Sequence, residues 1–258
     1  NNEPAIYIFE GDRLAAAKDW NKAATMYEQA IYFDEDNPEG YVKYANVYFN
    51  TDGGKRFAIQ KLVELLQKNP SSALGQRELA EKYYEDGQWT EAAKQYGQYI
   101  ANPNHFPEDK ERYAVLLFTG NNYQKAYDIA SEILRNKPGD ITLQRIVVRS
   151  LDALNRDSDA LQETQRYFEN AANANKFNAA DYKFYATLLT KANQDSLAVV
   201  VLQKGAQAFP EDGSILKSLS DAYWAKKEYK LSAEFYNKYL GEAKDPQRSD
   251  YYTAAKRL

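Results

Sequence analysis

The chain has 258 residues, 44% hydrophobic and 14% aromatic, with 22 Tyr, 11 Phe, no Cys and a formal net charge of −4. The lack of Cys excludes disulfides, zinc–thiolate centres and cysteine nucleophiles. The acidic balance argues against nucleic acid, whose recognition needs a basic patch.

From the N-terminus onward, a small residue returns twice in every period. One series is Gly11, Ala45, Ala80, Ala114, Val148, Ala186 and Ser220; the other is Ala23, Ala58, Ala92, Ala126, Ala160, Ala198 and Ser232. The steps are 34 or 35 residues, with one of 38, and the two series run 12 residues apart, or 13 once. Such a period predicts stacked helix pairs, each presenting the same close-packing surface to the next. Around the small residues the apolar spacing is helical: Leu79, Ala80 and Tyr83 share one face, and Ala92, Tyr96, Tyr99 and Ile100 share another. Most turns within the pairs are rich in Gly, Asn and Asp. Pro70, Pro103, Pro138 and Pro210 fall near the ends of second helices, which they cannot continue. The predicted repeats span about 4–37, 38–72, 73–106, 107–140, 141–178, 179–212 and 213–246, with a terminal helix at about 248–258. The extra residue of the second repeat falls in the turn at Gly53-Gly54. The four extra residues of the fifth fall around Glu169–Asn178, where a second helix longer by one turn is expected. In the terminal helix, Lys256 and Arg257 are expected to form a polar outer side.

These residues resemble the tetratricopeptide repeat. The first repeat carries Gly11, Leu14, Trp20, Ala23, Tyr27 and Ala30 at the family spacing; the third carries Leu79, Ala80, Tyr83, Gly87, Trp89, Ala92 and Tyr96. The fourth (Ala114, Tyr123, Ala126, Pro138), sixth (Tyr182, Ala186, Leu189, Ala198, Pro210) and seventh (Tyr223, Tyr229, Tyr236) keep the register. The fifth departs most, with Val148 at the small position and Asp157 and Thr164 for aromatics, so irregular packing is expected there. The resemblance covers essentially the whole chain. It implies an all-α, right-handed superhelical solenoid of seven repeats plus a C-terminal helix, a single array over 1–258.

Little in the sequence carries chemistry. His105, the single histidine, sits in an inter-repeat turn without partners, and Gly53-Gly54 follows no strand, so a phosphate loop fails on context. Glu78, Glu81, Glu85 and Asp86 read as a solvated helix face. No catalytic residue, cofactor or metal is expected. In the family, first helices line a concave groove that holds peptides. Projected from the small-residue register, the groove positions are Val42, Asn46, Phe49 and Asn50, then Arg77, Glu81, Tyr84 and Glu85, then Glu111, Val115 and Phe118. The later repeats supply Arg145, Arg149 and Asp152; Lys183, Thr187, Thr190 and Lys191; and Lys217, Asp221 and Trp224. Phe49, Tyr84, Phe118 and Trp224 recur at one groove position; they either face a ligand or pack within the helix pair. Arg145, Arg149, Lys183 and Lys217 form a cationic row that suits an acidic peptide. The carboxylate clamp of chaperone-binding members is not reproduced: Val42 with Asn46, Glu78, and Glu108 with Arg112 stand at its places.

The expected function is a non-catalytic scaffold that binds a protein or peptide in this groove, without nucleic acid and without a membrane span. The alternatives are a structural or oligomerisation element of a bacterial envelope assembly, or the repeat part of a larger protein whose activity lies elsewhere. The opening Asn1-Asn2-Glu3-Pro4 lacks Met, so a targeting segment is expected to have been removed, and the Cys-free, Tyr- and Asn-rich composition leans towards a Gram-negative envelope or periplasm.

Overall fold

The structure is a computed structural model that describes residues 3–49, 51–170, 173, 175–243 and 246–257. Among these residues there is no strand. Fifteen helices follow one another: α1 (Glu3–Ala16), α2 (Trp20–Phe33), α3 (Pro38–Phe49), α4 (Gly54–Lys68), α5 (Ala73–Glu85), α6 (Trp89–Ala101), α7 (Asp109–Thr119) and α8 (Tyr123–Leu134), then α9 (Ile141–Ala153), α10 (Asp157–Glu169), α11 (Ala179–Lys191), α12 (Asp195–Ala208), α13 (Gly213–Ala225), α14 (Tyr229–Glu242) and α15 (Arg248–Arg257). The chain divides into two compact units, residues 1–130 and 131–258. In the first unit α1 packs on α2, α3 on α4 and α5 on α6, and each second helix packs on the first helix of the next repeat. The second unit repeats the scheme from α9 to α14 and ends with α15 against α14.

One backbone device makes every turn within a pair. The positive-φ residues of the described chain are Lys18, Gly53, Gly87, Asn121, Asn155, Asn193 and Lys227, between 57° and 77°, one to each turn. Each lies seven residues after the first small residue, or eight in the second repeat, where the extra residue is absorbed. Gly and Asn occupy this left-handed conformation at little steric cost; Lys18 and Lys227 each pay about 1 kcal/mol. Helix starts are capped where the sequence supplies an acceptor. Ser72 Oγ accepts from Gly75 N at 3.1 Å, Asp140 from Leu143 N at 3.0 Å, and Asn178 with Asp181 forms a reciprocal capping box.

The small residues lie where helices touch. Ala23, Ala45, Ala58, Ala80, Ala92, Ala114, Ala126 and Ala160 are wholly buried, as are Ser220 and Ser232. At Gly11 an added Cβ would stand 2.4 Å from the Tyr27 ring, so that ring takes the place a side chain would need. Tyrosines fill much of the remaining core: Tyr41, Tyr96, Tyr99 and Tyr236 are at most 1% exposed, and Tyr96 stacks on Tyr113 at 6.1 Å. In the fifth repeat Val148 is accommodated at 3% exposure.

Two expectations are corrected. The helix expected to be longer by a turn, α10, has 13 residues, as α6 has, and stops at Glu169. The extra residues lie in the connection to α11, where buried Asn173 donates to Gln144 Oε1 at 2.9 Å and to Tyr167 O at 3.2 Å. Asn102 makes the matching bond to Gln76 Oε1 in the third repeat, with a second to Ser71 O, so an asparagine on a first-helix glutamine anchors the connection in both repeats and a longer helix is not needed. Arg257 also departs from the reading: its side chain is 10% exposed and turns inward, while Lys256 stays outside. Asn50 and Leu258, read as a groove position and as part of the terminal helix, lie outside the described residues.

Candidate protein-binding faces

In the first unit, the first-helix residues assigned to the groove are largely engaged with one another. Phe49 is 5% exposed and belongs to the core formed with Val42, Ala45, Ala58, Leu62 and Leu79, which is a packing role and not an open face. Its ring is covered by the ammonium groups of Lys82, at 4.8 Å, and Lys55, at 5.3 Å. Tyr84 lies under the Arg112 guanidinium at 4.3 Å, and Arg112 is also paired with Glu81, Nε to Oε1 at 3.0 Å. Phe118 meets Tyr123 edge to face at 5.6 Å. Arg77 Nε donates to Asp109 Oδ2 at 2.8 Å, an oxygen that also accepts from Tyr99 OH at 2.8 Å. The acidic face is correspondingly less solvated than its composition suggests. Glu85 pairs with Lys82 and Asp86 with Lys55. Burial pushes the Glu78 carboxyl above the ordinary glutamate value, although Lys82 and Arg77 act to hold it down. His105 is half-buried, with Nδ1 2.7 Å from Asn102 O.

In the second unit, three of the four residues of the cationic row are bonded to a neighbouring repeat or helix. Arg145 grips Asp181 through Nε at 3.0 Å and Nη2 at 2.7 Å, and also donates to Lys176 O. Lys183 Nζ donates to Ser214 Oγ at 2.7 Å. Lys217 Nζ donates to Asp250 Oδ1 at 2.8 Å. Asp250 further accepts from Tyr236, Tyr239 and Gln247 N. These bonds, that from Lys217 first, hold its carboxyl well below the usual range. Arg149 stacks over Phe184 at 5.2 Å. Trp224, 41% exposed, meets Tyr229 at 4.9 Å and lies under the Arg257 guanidinium at 5.5 Å.

One register explains three of these contacts. Arg77, Arg145 and Lys217 each stand three residues before a small position. Their partners Asp109, Asp181 and Asp250 stand five before the small position of the next first helix (Ala114, Ala186 and, in α15, Ala255). A charge that lies over the neighbouring repeat in this way is a tether and not a free ligand site.

The first helices of the second unit leave a hollow of about 410 Å³ between α11 and α13. Ala186, Ala222 and Ala225 line it beside Leu202 of α12; Thr187, Thr190, Ser218, Asp195 and Asp221 give it a polar edge together with Lys183 and Lys191, whose ammonium groups are bonded to Ser214 and to Asp152 and Asp157. Lys183, Thr187, Thr190, Lys191 and Asp221 of this lining are groove positions projected from the small-residue register, whereas the aromatic row lies outside it. A second cavity, of about 430 Å³, lies among α10, α11 and α12 and was not foreseen. There Phe168 stacks on Phe177 at 4.4 Å, and Leu197 and Val200 are half-exposed. Among the described residues no helix is long and apolar enough to cross a membrane.

Paired helices in a strict register, joined by one recurring turn, define a helical-hairpin repeat protein. A family model for the tetratricopeptide repeat matches residues 78–141 and 196–249, and the fifteen helices among the described residues fit an array of such repeats. The chain is similar to the C-terminal part of a repeat-containing protein from Cytophaga hutchinsonii, with a TM-score of 0.69 and 12% identity over 97% of this chain and 99% of that one. It is also similar to a tetratricopeptide repeat protein from Parabacteroides merdae, with a TM-score of 0.58 and 14% identity over 100% and 99%. MamA from Desulfovibrio magneticus RS-1 matches 66% of this chain and 94% of its own, with a TM-score of 0.56 and 18% identity. At such identities the likeness is one of fold. No curated protein matches the sequence. Tetratricopeptide repeats generally mediate protein–protein interaction, and proteins built from them are typically non-catalytic scaffolds.

Proposed function

We propose that this chain is a non-catalytic scaffold whose second unit holds an extended segment of a protein partner along its first helices. The hollow between α11 and α13 carries the reading. Its alanine lining lets a backbone approach closely, and the hydroxyls and carboxylates at its edge can bond the peptide groups of an extended chain. The cationic row contributes little to such a ligand, because Arg145, Lys183 and Lys217 are already engaged within the fold. Lys191 of the lining is likewise held, by Asp152 and Asp157, so partner choice rests on the hydroxyl and carboxylate edge. Peptides selected from a random display library on the whole protein test this. They should lose about tenfold or more in affinity when Thr187→Trp fills the hollow, since Thr187 is exposed and its replacement leaves the core untouched. Selected peptides that bind Thr187→Trp as well as the parent would refute it.

A further inference from the structure

The two small-residue series end in serine and not alanine, and they do so only in the seventh repeat. Ser220 and Ser232 are both wholly buried, and each bonds a backbone carbonyl of the other's helix, Ser232 Oγ to Ser220 O at 2.9 Å and Ser220 Oγ to Ser232 O. Serine at a helix crossing costs desolvation that alanine avoids. Here the hydroxyls face a ligand. Arg257 of α15 donates through Nη1 to Ser220 Oγ and to Ser232 Oγ, the latter at 3.1 Å, and through Nη2 to Asp221. Its guanidinium plane is flanked by the Tyr236 ring at 4.5 Å and the Trp224 ring at 5.5 Å. Two buried hydroxyls, one carboxylate and two aromatic faces match a guanidinium in donor count, charge and planarity, and a lysine ammonium would use them poorly.

We propose that the seventh repeat carries an arginine-binding site formed by Ser220, Ser232, Asp221, Trp224 and Tyr236. α15 fills it in cis with Arg257, and an arginine-bearing segment of a protein partner takes it over when α15 withdraws. Asp221 also lines the hollow between α11 and α13, so the site gives that hollow its partner chemistry and to that extent rests on the scaffold reading. α15 packs on α14 and is tied to α13 by Arg257–Asp221 and Lys217–Asp250, so an arginine-bearing competitor has to displace both pairs.

The test uses the full chain and N-acetyl-arginine amide as probe, read by NMR at the indole N–H of Trp224, one of three tryptophans. In the parent the site is filled, and the signal should stay unmoved at millimolar probe. In Arg257→Ala it should shift saturably. Adding Ser220→Ala and Ser232→Ala to that variant should weaken the probe about tenfold, the loss of two hydroxyl acceptors. Alanine is what most of the other repeats carry at both positions, so this variant keeps its fold. No saturable shift in Arg257→Ala would overturn the site. An equal shift in the parent would overturn its occupation by α15, and an equal response to N-acetyl-lysine amide would overturn the selectivity. Failure here with peptides still lost on Thr187→Trp leaves the scaffold standing; a shift here without selected peptides leaves the arginine site and removes the hollow.

Discussion

Arg145 looks like a ligand-binding residue in sequence and is a structural tether in space, and replacing it with methionine separates the two roles. Methionine keeps most of the apolar stem and removes only the guanidinium. Asp181 is 3% exposed and accepts from Arg145 through both of its oxygens; without Arg145, the Asn178 N–H at 3.0 Å is its remaining donor among the described residues. Two charge-assisted hydrogen bonds contribute about 1.5–3 kcal/mol each. Freeing the arginine rotamers returns about 2 kcal/mol, so the net loss is about 1–4 kcal/mol, reaching into the range for breaking a buried pair. Asp181→Ala should cost about 1 kcal/mol more, since it also abolishes the capping box. Urea unfolding of both single variants and the double variant measures the coupling, expected at about 2 kcal/mol. A single variant within about 0.5 kcal/mol of the parent, or no coupling, would refute the tether. An Arg145→Glu variant that loses its partner would accordingly report a damaged fifth–sixth repeat junction and not a lost ligand contact.

Two further outcomes follow from the first unit. Folded Glu78 holds its proton more tightly than the unfolded chain does, because burial raises its pKa. Stability therefore falls as pH rises through the ordinary glutamate value, about 4.3, towards the raised folded value, and the loss is constant above that. Glu78→Gln should be more stable than the parent at pH 7 and should converge with it below about pH 4; thermal melts across that range that run parallel would contradict the burial argument. At the turn before α4, a Cβ on Gly54 would stand 1.8 Å from Tyr48 O, whereas Gly53 faces open space at φ 73°. Gly54→Ala should cost about 3 kcal/mol and Gly53→Ala about 1 kcal/mol in denaturant melts, and the reverse order would show the crowding to be misplaced.

The small-residue register made the helices and the left-handed turn positions legible, because steric exclusion at a crossing and the φ of a tight turn are imposed locally and leave marks such as Ala92, Gly87 and Asn121. Charge engagement is not local. Arg77 and Asp109 are 32 positions apart, and the composition of a helix face is the same whether its charges are solvated or bonded across repeats. A signal was nevertheless present in Asp109, Asp181 and Asp250, which recur five residues before a small position. The Arg257 site had its own mark in the change from alanine to serine in the last repeat. Phe49 was ambiguous in sequence because a large ring beside a helix crossing can cover the core or a ligand equally well, and only the positions of Lys82 and Lys55 decide between them.

The cross-repeat ion pairs between first helices do not follow the period of the sequence. Lys43–Asp12 joins the first and second repeats, and Arg77–Asp109 with Arg112–Glu81 joins the third and fourth. Arg145–Asp181 with Lys191–Asp152 joins the fifth and sixth, and Lys217–Asp250 with Arg257–Asp221 joins the seventh to α15. Lys55–Asp86 joins the second repeat to the third through a second helix and a turn, and from sixth to seventh Lys183 meets a neutral serine. In a linear array, stability is the sum of repeat terms and nearest-neighbour terms, and within each unit these pairs strengthen one neighbour term and not the next. Within a unit the better-joined block is then two repeats wide. Opening within a unit should proceed by doublets, and gain or loss of a single repeat there would set strong faces against weak ones.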